Sequence, residues 1–195
     1  MTDDRQIRDD ISYVRSVVRR ADREHNPASL YFLWAVLSFF GYAIIDYRPE
    51  ATGLYWAIAG PAGGVASAFL ATRAARKIGQ MSDSDGWKDA LHWGAMMFAA
   101  LLLIPLVMTH RLAPDDIPRV ILLILALTYW SAGLQRDRRF LTLGVVMAGT
   151  YLFTIFADRL PYLWTITGGI LAASLAAAGV FAAAATSRRA PSTDV

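Results

Sequence analysis

The sequence predicts an all-α, polytopic membrane protein: six transmembrane helices arranged as three hairpins, preceded by a cytoplasmic amphipathic helix. Three observations predict it. The 195 residues are 55% apolar and only 18% charged, with the charges gathered between long uncharged blocks. Each block reaches the roughly 18 to 20 residues that a helix needs to cross a bilayer core. A turn pattern of acid, arginine, proline and aromatics then recurs between blocks, as expected of hairpins built alike.

The organisation that follows is a cytoplasmic helix over 1–26, a six-helix membrane domain over 27–186 and a disordered cytoplasmic tail over 187–195. Residues 3–24 carry the amphipathic pattern. Ile7, Ile11, Val14 and Val18 recur at spacings of four, three and four, which lines one helical face. Asp3 and Asp4 suit the first turn, and Arg19, Arg20 and Arg23 the last, where they complement the helix dipole. Six acids balance six bases here. A helix lying on anionic headgroups carries an excess of Lys and Arg, so the stripe points to a protein partner, either a second copy of the chain or a cytoplasmic protein. The bland alternative is a helix resting on its own bundle. Pro27 ends this helix.

The spans are expected at 29–46, 53–72, 91–109, 117–134, 139–157 and 161–185. A soluble bundle would need amphipathic helices to cover such blocks, and the chain has too few. Its first 25 residues are charged and lack an apolar core of the secretory type, so the first span is expected to act as the insertion signal. Span two contains Pro61, which predicts a kink near Ala57, and the small-residue pairs Gly60/Gly64 and Gly63/Ser67, which allow close helix packing. The 73–90 loop holds Asp83, Asp85 and Gly86, but the calcium-loop register places Met81 and His92 where acids belong. Ser84 or Asp85 instead suits the cap of a helix starting near Trp87.

Span three carries Pro105 as a second kink point and ends at His110. Span four closes on Tyr129 and Trp130, and the segment to Arg139 is short enough to be a tight turn. In span five, Thr142, Thr150 and Thr154 are each expected to bond a carbonyl of their own helix. Span six is rich in Ala and Gly, which predicts burial between other helices or at a dimer interface, not a lipid-facing position.

Fifteen of the nineteen basic residues fall on the side of the termini, and four, Arg48, Arg111, Arg119 and Arg159, fall on the other. Retention of positive charge in the cytoplasm places both termini inside and the three hairpin turns outside. Seventeen of those bases are arginine, a bias that points to a bacterial inner membrane. The net charge of +3 expresses this topology, so the basic balance implies no nucleic acid.

Chemistry is sparse. Without cysteine there is neither a disulfide nor a thiolate site. His92 and His110 are 18 residues apart, about 27 Å along a helix, so they cannot share a metal. No acid or base stands at mid-depth, where proton relays and ion-coupled carriers need one. No motif for a nucleophile, a nucleotide or a metal occurs in a usable context, so neither an enzyme nor a cofactor is expected.

The remaining constellation is the set of turns. Asp158-Arg159-Leu160-Pro161-Tyr162 echoes Asp46-Tyr47-Arg48-Pro49, and His110-Arg111 opens a looser copy. These corners are expected either to lock together by charge pairing or to bind a small polar or anionic ligand through Arg48, Arg111 and Arg159, with Asp46, Asp158 and His110 beside them. The functional expectation is a membrane subunit that binds a partner through its N-terminal helix; the alternative is a small-solute transporter or channel subunit.

Overall fold

A computed structural model describes residues 27–77, 86–135 and 138–187. The N-terminal helix with its Ile7, Ile11, Val14 and Val18 stripe lies outside the described residues, as do the cap at Ser84 or Asp85 and the tail from residue 188.

Among the described residues the fold is helical, with no strand. The helices are α1 (Ala28–Tyr47), α2 (Thr52–Lys77), α3 (Gly86–Leu101), α4 (Leu103–Met108), α5 (Ile117–Gln135), α6 (Arg138–Phe156) and α7 (Leu163–Ser187). Six segments are long and apolar enough to cross a membrane, with α3 and α4 together forming one of them. Two short 3-10 turns, Pro49–Ala51 and Pro114–Asp116, lead into α2 and α5, and each opens on a proline whose missing N–H costs nothing there.

The two internal prolines behave differently. Pro105 has no amide to give and crowds the carbonyl of Leu101 four residues back. The helix accordingly breaks at Leu102 and restarts as α4. At Pro61 α2 runs on without interruption, so the expected disturbance near Ala57 breaks no helix.

The most extensive packing joins the first and last spans, α1 and α7, followed by α5 against α6. Sequential neighbours also touch, with α2 on α1, α3 on α5 and α7 on α6, but less extensively. The core is thus a four-helix group, α1, α5, α6 and α7, with α2 and α3–α4 on its flanks. Leu122, Leu171 and Leu175 fill its middle, and all three are almost wholly enclosed.

One end of the bundle holds the start of α1 and the α5–α6 junction; the opposite, turn end holds the connections between α1 and α2, α4 and α5, and α6 and α7. Near the first, rings from four helices meet. Tyr31 stacks on Phe140 with centroids 6.2 Å apart, Phe140 lies 5.8 Å from Tyr129, and Trp93 meets Tyr129 edge-on at 5.3 Å. His92 sits beside this group, its Nε2 3.2 Å from the Thr128 carbonyl, an arrangement in which Nε2 donates.

Glycines set how closely the core helices approach. A Cβ on Gly133 would strike the backbone of Leu141, and one on Gly144 would lie 2.7 Å from the Trp130 nitrogen. In α7, a Cβ on Gly168 would come within 2.9 Å of the Phe39 carbonyl oxygen. α7 thus packs closely on α1, but Val180 and Phe181 on it are 57% and 68% exposed, so the expected burial holds for one face only. In α2, Gly63 and Ser67 face α1, where Trp34 Nε1 donates to Ser67 Oγ at 3.0 Å. Gly60 and Gly64 would meet nothing, so only one of the two small-residue pairs is used. The α6 threonines bond their own helix as expected, Thr150 to Val146 at 2.8 Å, Thr154 to Tyr151 at 2.7 Å and Thr142 to Arg138 at 3.4 Å.

Gly144→Leu should therefore lower stability by about 3 kcal/mol or more, because backbone cannot yield as side chains do. Gly64→Leu should change it by less than about 0.5 kcal/mol. Thermal unfolding of the purified protein in detergent checks both, and equal behaviour of the two variants would contradict the packing described.

Candidate functional site

The turn end contains the one connected polar cluster of the described core, and it begins with a helix that cannot cap itself. The first N–H groups of any helix have no partner inside it. α7 follows Pro161 and Tyr162, and Tyr162 has a left-handed backbone, φ 58°, and no side chain suited to capping. The cap comes instead from the end of α1. Asp46 accepts from the Thr165 N–H at 2.6 Å, from the Thr165 hydroxyl at 2.7 Å and from the Trp164 N–H at 3.3 Å. A carboxylate there also meets the positive end of the α7 dipole.

Trp164 carries the connection to α5. Its ring stacks on Tyr42 with centroids 6.1 Å apart and lies over the guanidinium of Arg119 at 5.5 Å. Tyr42 donates its hydroxyl to the Pro118 carbonyl at 3.4 Å, one residue before Arg119. Arg119 then gathers what remains. Nη1 donates to Asp116 at 3.0 Å, and Nη2 donates to Asp158 and to the Thr154 carbonyl, the latter at 3.4 Å. Its Nε is buried without an acceptor. Thus α1, α5, α6 and α7 are tied together at this end by one arginine, three carboxylates and two aromatic rings.

Exposure grades outward across the cluster. The Arg119 side chain is 20% exposed, whereas Asp116 and Asp158 are 50% and 65% exposed. They border a cleft of about 470 Å³ between α5 and α6, completed by Leu112, Val120, Tyr151 and Ile155.

Of the turn residues singled out in the sequence, Asp46 and Asp158 join this network. Arg48, Arg111 and Arg159 are exposed and form no ion pair among the described residues, and His110 is exposed with φ 54°. The hub that sequence reasoning missed is Arg119, which entered the sequence reading only in a count of loop charges. Its signal was an arginine inside the first turn of an otherwise apolar span, the kind of residue that is functional or paired by default. Among the described residues no group of three or more His, Asp or Glu side chains could hold a metal ion. Comparison with protein-family models, with curated proteins and with solved structures found no match for this chain.

Asp46→Ala should cost about 1–2 kcal/mol, the range for losing a helix cap. Asp158→Ala should cost about 0–1 kcal/mol, because its partner's other bonds remain and water reaches the carboxylate. Unfolding of the two variants measured side by side should show that order, and the reverse order would show that Arg119 pairing, not the cap, holds this end.

Proposed function

We propose that this chain is a non-enzymatic, multi-pass subunit of the bacterial inner membrane, with both termini in the cytoplasm, that binds a partner through its N-terminal helix. The observation that carries the reading is the filled axis of the four-helix core. Leu122, Leu171 and Leu175 occupy its middle, and the polar groups of the turn end bond chiefly to one another rather than line a route through the bundle. This packing supports a subunit role over a path through the core itself; the cleft beside Arg119 lies at its edge. The three-hairpin plan rests on the repeated turns, although the hairpin partners pack less extensively on each other than α1 on α7 or α5 on α6, and the orientation rests on the fifteen basic residues on the side of the termini.

The uncharged balance and the apolar stripe of residues 3–24 favour a protein surface over lipid as the target of that helix. The partner is either a second copy of the chain or a cytoplasmic protein. Ile11→Asp with Val14→Asp should leave membrane insertion intact and abolish recovery of the partner, tested first with two differently tagged copies of the chain. Unchanged recovery would remove the role of the stripe. Because the chain has no cysteine, orientation can be read by single-cysteine labelling. Arg159→Cys should react with an impermeant maleimide added to intact cells and Ser192→Cys only after lysis; the opposite pattern would invert the topology.

A small-solute transporter or channel subunit is the second reading, favoured by the cleft beside Arg119. It requires liposome flux that falls in Arg48→Ala, Arg111→Ala and Arg159→Ala, whereas the subunit reading requires no flux above protein-free liposomes.

A further inference from the structure

The N-terminal stripe has the spacing of a seam between two helices. Ile7, Ile11, Val14, Val18 and Ala21 succeed one another at four, three, four and three residues, which places them at alternating d and a positions of a heptad. Asp4, at the preceding a position, ends the seam. The flanking positions are then fixed: Asp3, Asp10, Val17 and Glu24 fall at g, and Arg8, Arg15 and Asp22 at e. Over the first two heptads one flank of the stripe is acidic and the other basic. A helix resting on its own bundle gains nothing from that division. Two copies side by side in parallel do, because each g residue faces the e residue five positions further along the other helix. Asp3 meets Arg8 and Asp10 meets Arg15, in both directions, whereas Val17 and Asp22 make no such pair. Running the copies antiparallel, with Ile11 layered on Val14, sets e against e and g against g. Arg8 then meets Arg15 and Asp3 meets Glu24, like charge on like, which disfavours that arrangement.

The fold leaves room for such a pair. Pro27 is extended, with φ -62° and ψ 141°, so a corner separates the stripe from α1 and lets it take its own direction. α1 meets α2 through Trp34, Leu37 and Gly41, and α7 through Phe39, while Val36 and Phe40 stay 55% and 56% exposed. A second bundle can stand beside α1 without displacing either neighbour. Two chains inserted alike in one membrane are related by an axis along its normal, which makes their N-terminal segments parallel. We infer that residues 3–24 pair with the same residues of a second copy as a parallel coiled coil, with Ile7, Ile11, Val14 and Val18 in the seam and Asp3–Arg8 and Asp10–Arg15 as the pairs that set its direction. The inference rests on the reading that the stripe binds a protein, and names that protein as a second copy of the chain. Anchoring favours it, because two short helices tethered at one membrane surface meet at high effective concentration.

The test uses the full-length protein in membranes, with two differently tagged copies expressed together. Asp3→Arg with Asp10→Arg makes both flanks of the first two heptads basic, and Arg8→Asp with Arg15→Asp makes both acidic. Each double variant should recover its own kind about tenfold less than the native chain recovers itself, since every one of these pairs turns repulsive at once. The two variants expressed together should recover each other at the native level, because acid again meets base at both places; a misfolded variant could not show that rescue. Since the chain has no cysteine, direction can be read by oxidative cross-linking. Ile11→Cys should cross-link to Ile11→Cys, whereas cross-linking only between Ile11→Cys and Val14→Cys would show antiparallel pairing and overturn the inference. Double variants that recover themselves as well as the native chain does, or that fail to rescue each other, would overturn it too. Absence of both recovery and cross-linking between native copies would overturn the pairing alone; the broader partner reading falls only if Ile11→Asp with Val14→Asp leaves recovery of every partner unchanged.

Discussion

Asp46 holds the start of α7, and the rest of the bundle is arranged around that bond. Its carboxylate accepts from residues 118 and 119 positions further along the chain, which brings the first and last spans together. The start of α7 is packed against the bundle, with Leu163 and Thr167 buried, so its free N–H groups need a partner from the protein. α7 supplies no cap of its own. Once α1 provides it, Trp164 is placed between Tyr42 and Arg119, and Arg119 can reach Asp116, Asp158 and the Thr154 carbonyl. One capping interaction thereby fixes the relative position of four helices at the turn end.

Away from that end, shape takes over from polarity. Helices in lipid gain little from burying apolar surface against one another, because lipid is as apolar as leucine, and they associate through close packing. Gly133 and Gly144 let α5 and α6 meet backbone to backbone, and Gly168 does the same for α7 on α1. These are also the two most extensive contacts in the bundle. At the other end rings meet, Tyr31, Trp93, Tyr129 and Phe140. The polar cluster at one end ties all four core helices, the ring cluster at the other joins three of them, α1, α5 and α6, and Trp93 extends it to α3.

The sequence carries the spans plainly and their partners hardly at all. Blocks of apolar residues mark where the chain can cross a membrane, and the break after Leu101 follows from Pro105. Pairing is different, because a helix that is apolar all round gives no face to read. Nothing in composition separates Gly63, which meets α1, from Gly64, which meets nothing. The close union of α1 with α7 was hidden for the same reason. The turn residues were partly legible. Asp46 and Asp158 stand out in a repeated pattern, yet that pattern suggests corners equivalent to each other, whereas Asp46 caps a helix and Asp158 pairs with a buried arginine. The absence of a capping residue before Leu163 and the lone arginine within the start of α5 were the two signals that could have separated those roles.

The distribution of apolar side chains says what solvent this packing needs. Among the described residues, thirty large hydrophobic side chains are exposed, while fifteen hydrophobic residues form the buried core. The exposed ones include Phe156 at 85%, Met108 at 76% and Val65 at 73%. In water each would forgo about 1.5–3 kcal/mol of available burial, a sum far beyond the net stability of any domain. In lipid the same exposure carries no such penalty. It also explains how α2 and α3–α4 can flank the core with few buried residues of their own: the span Ala90–Met108 has none. Such helices are held by a few contacts, Trp34 with Ser67 on one side and Trp93 with Tyr129 on the other. Sub-global opening follows local contact density, so these flanking helices should separate from the core before α1, α5, α6 and α7 separate from one another.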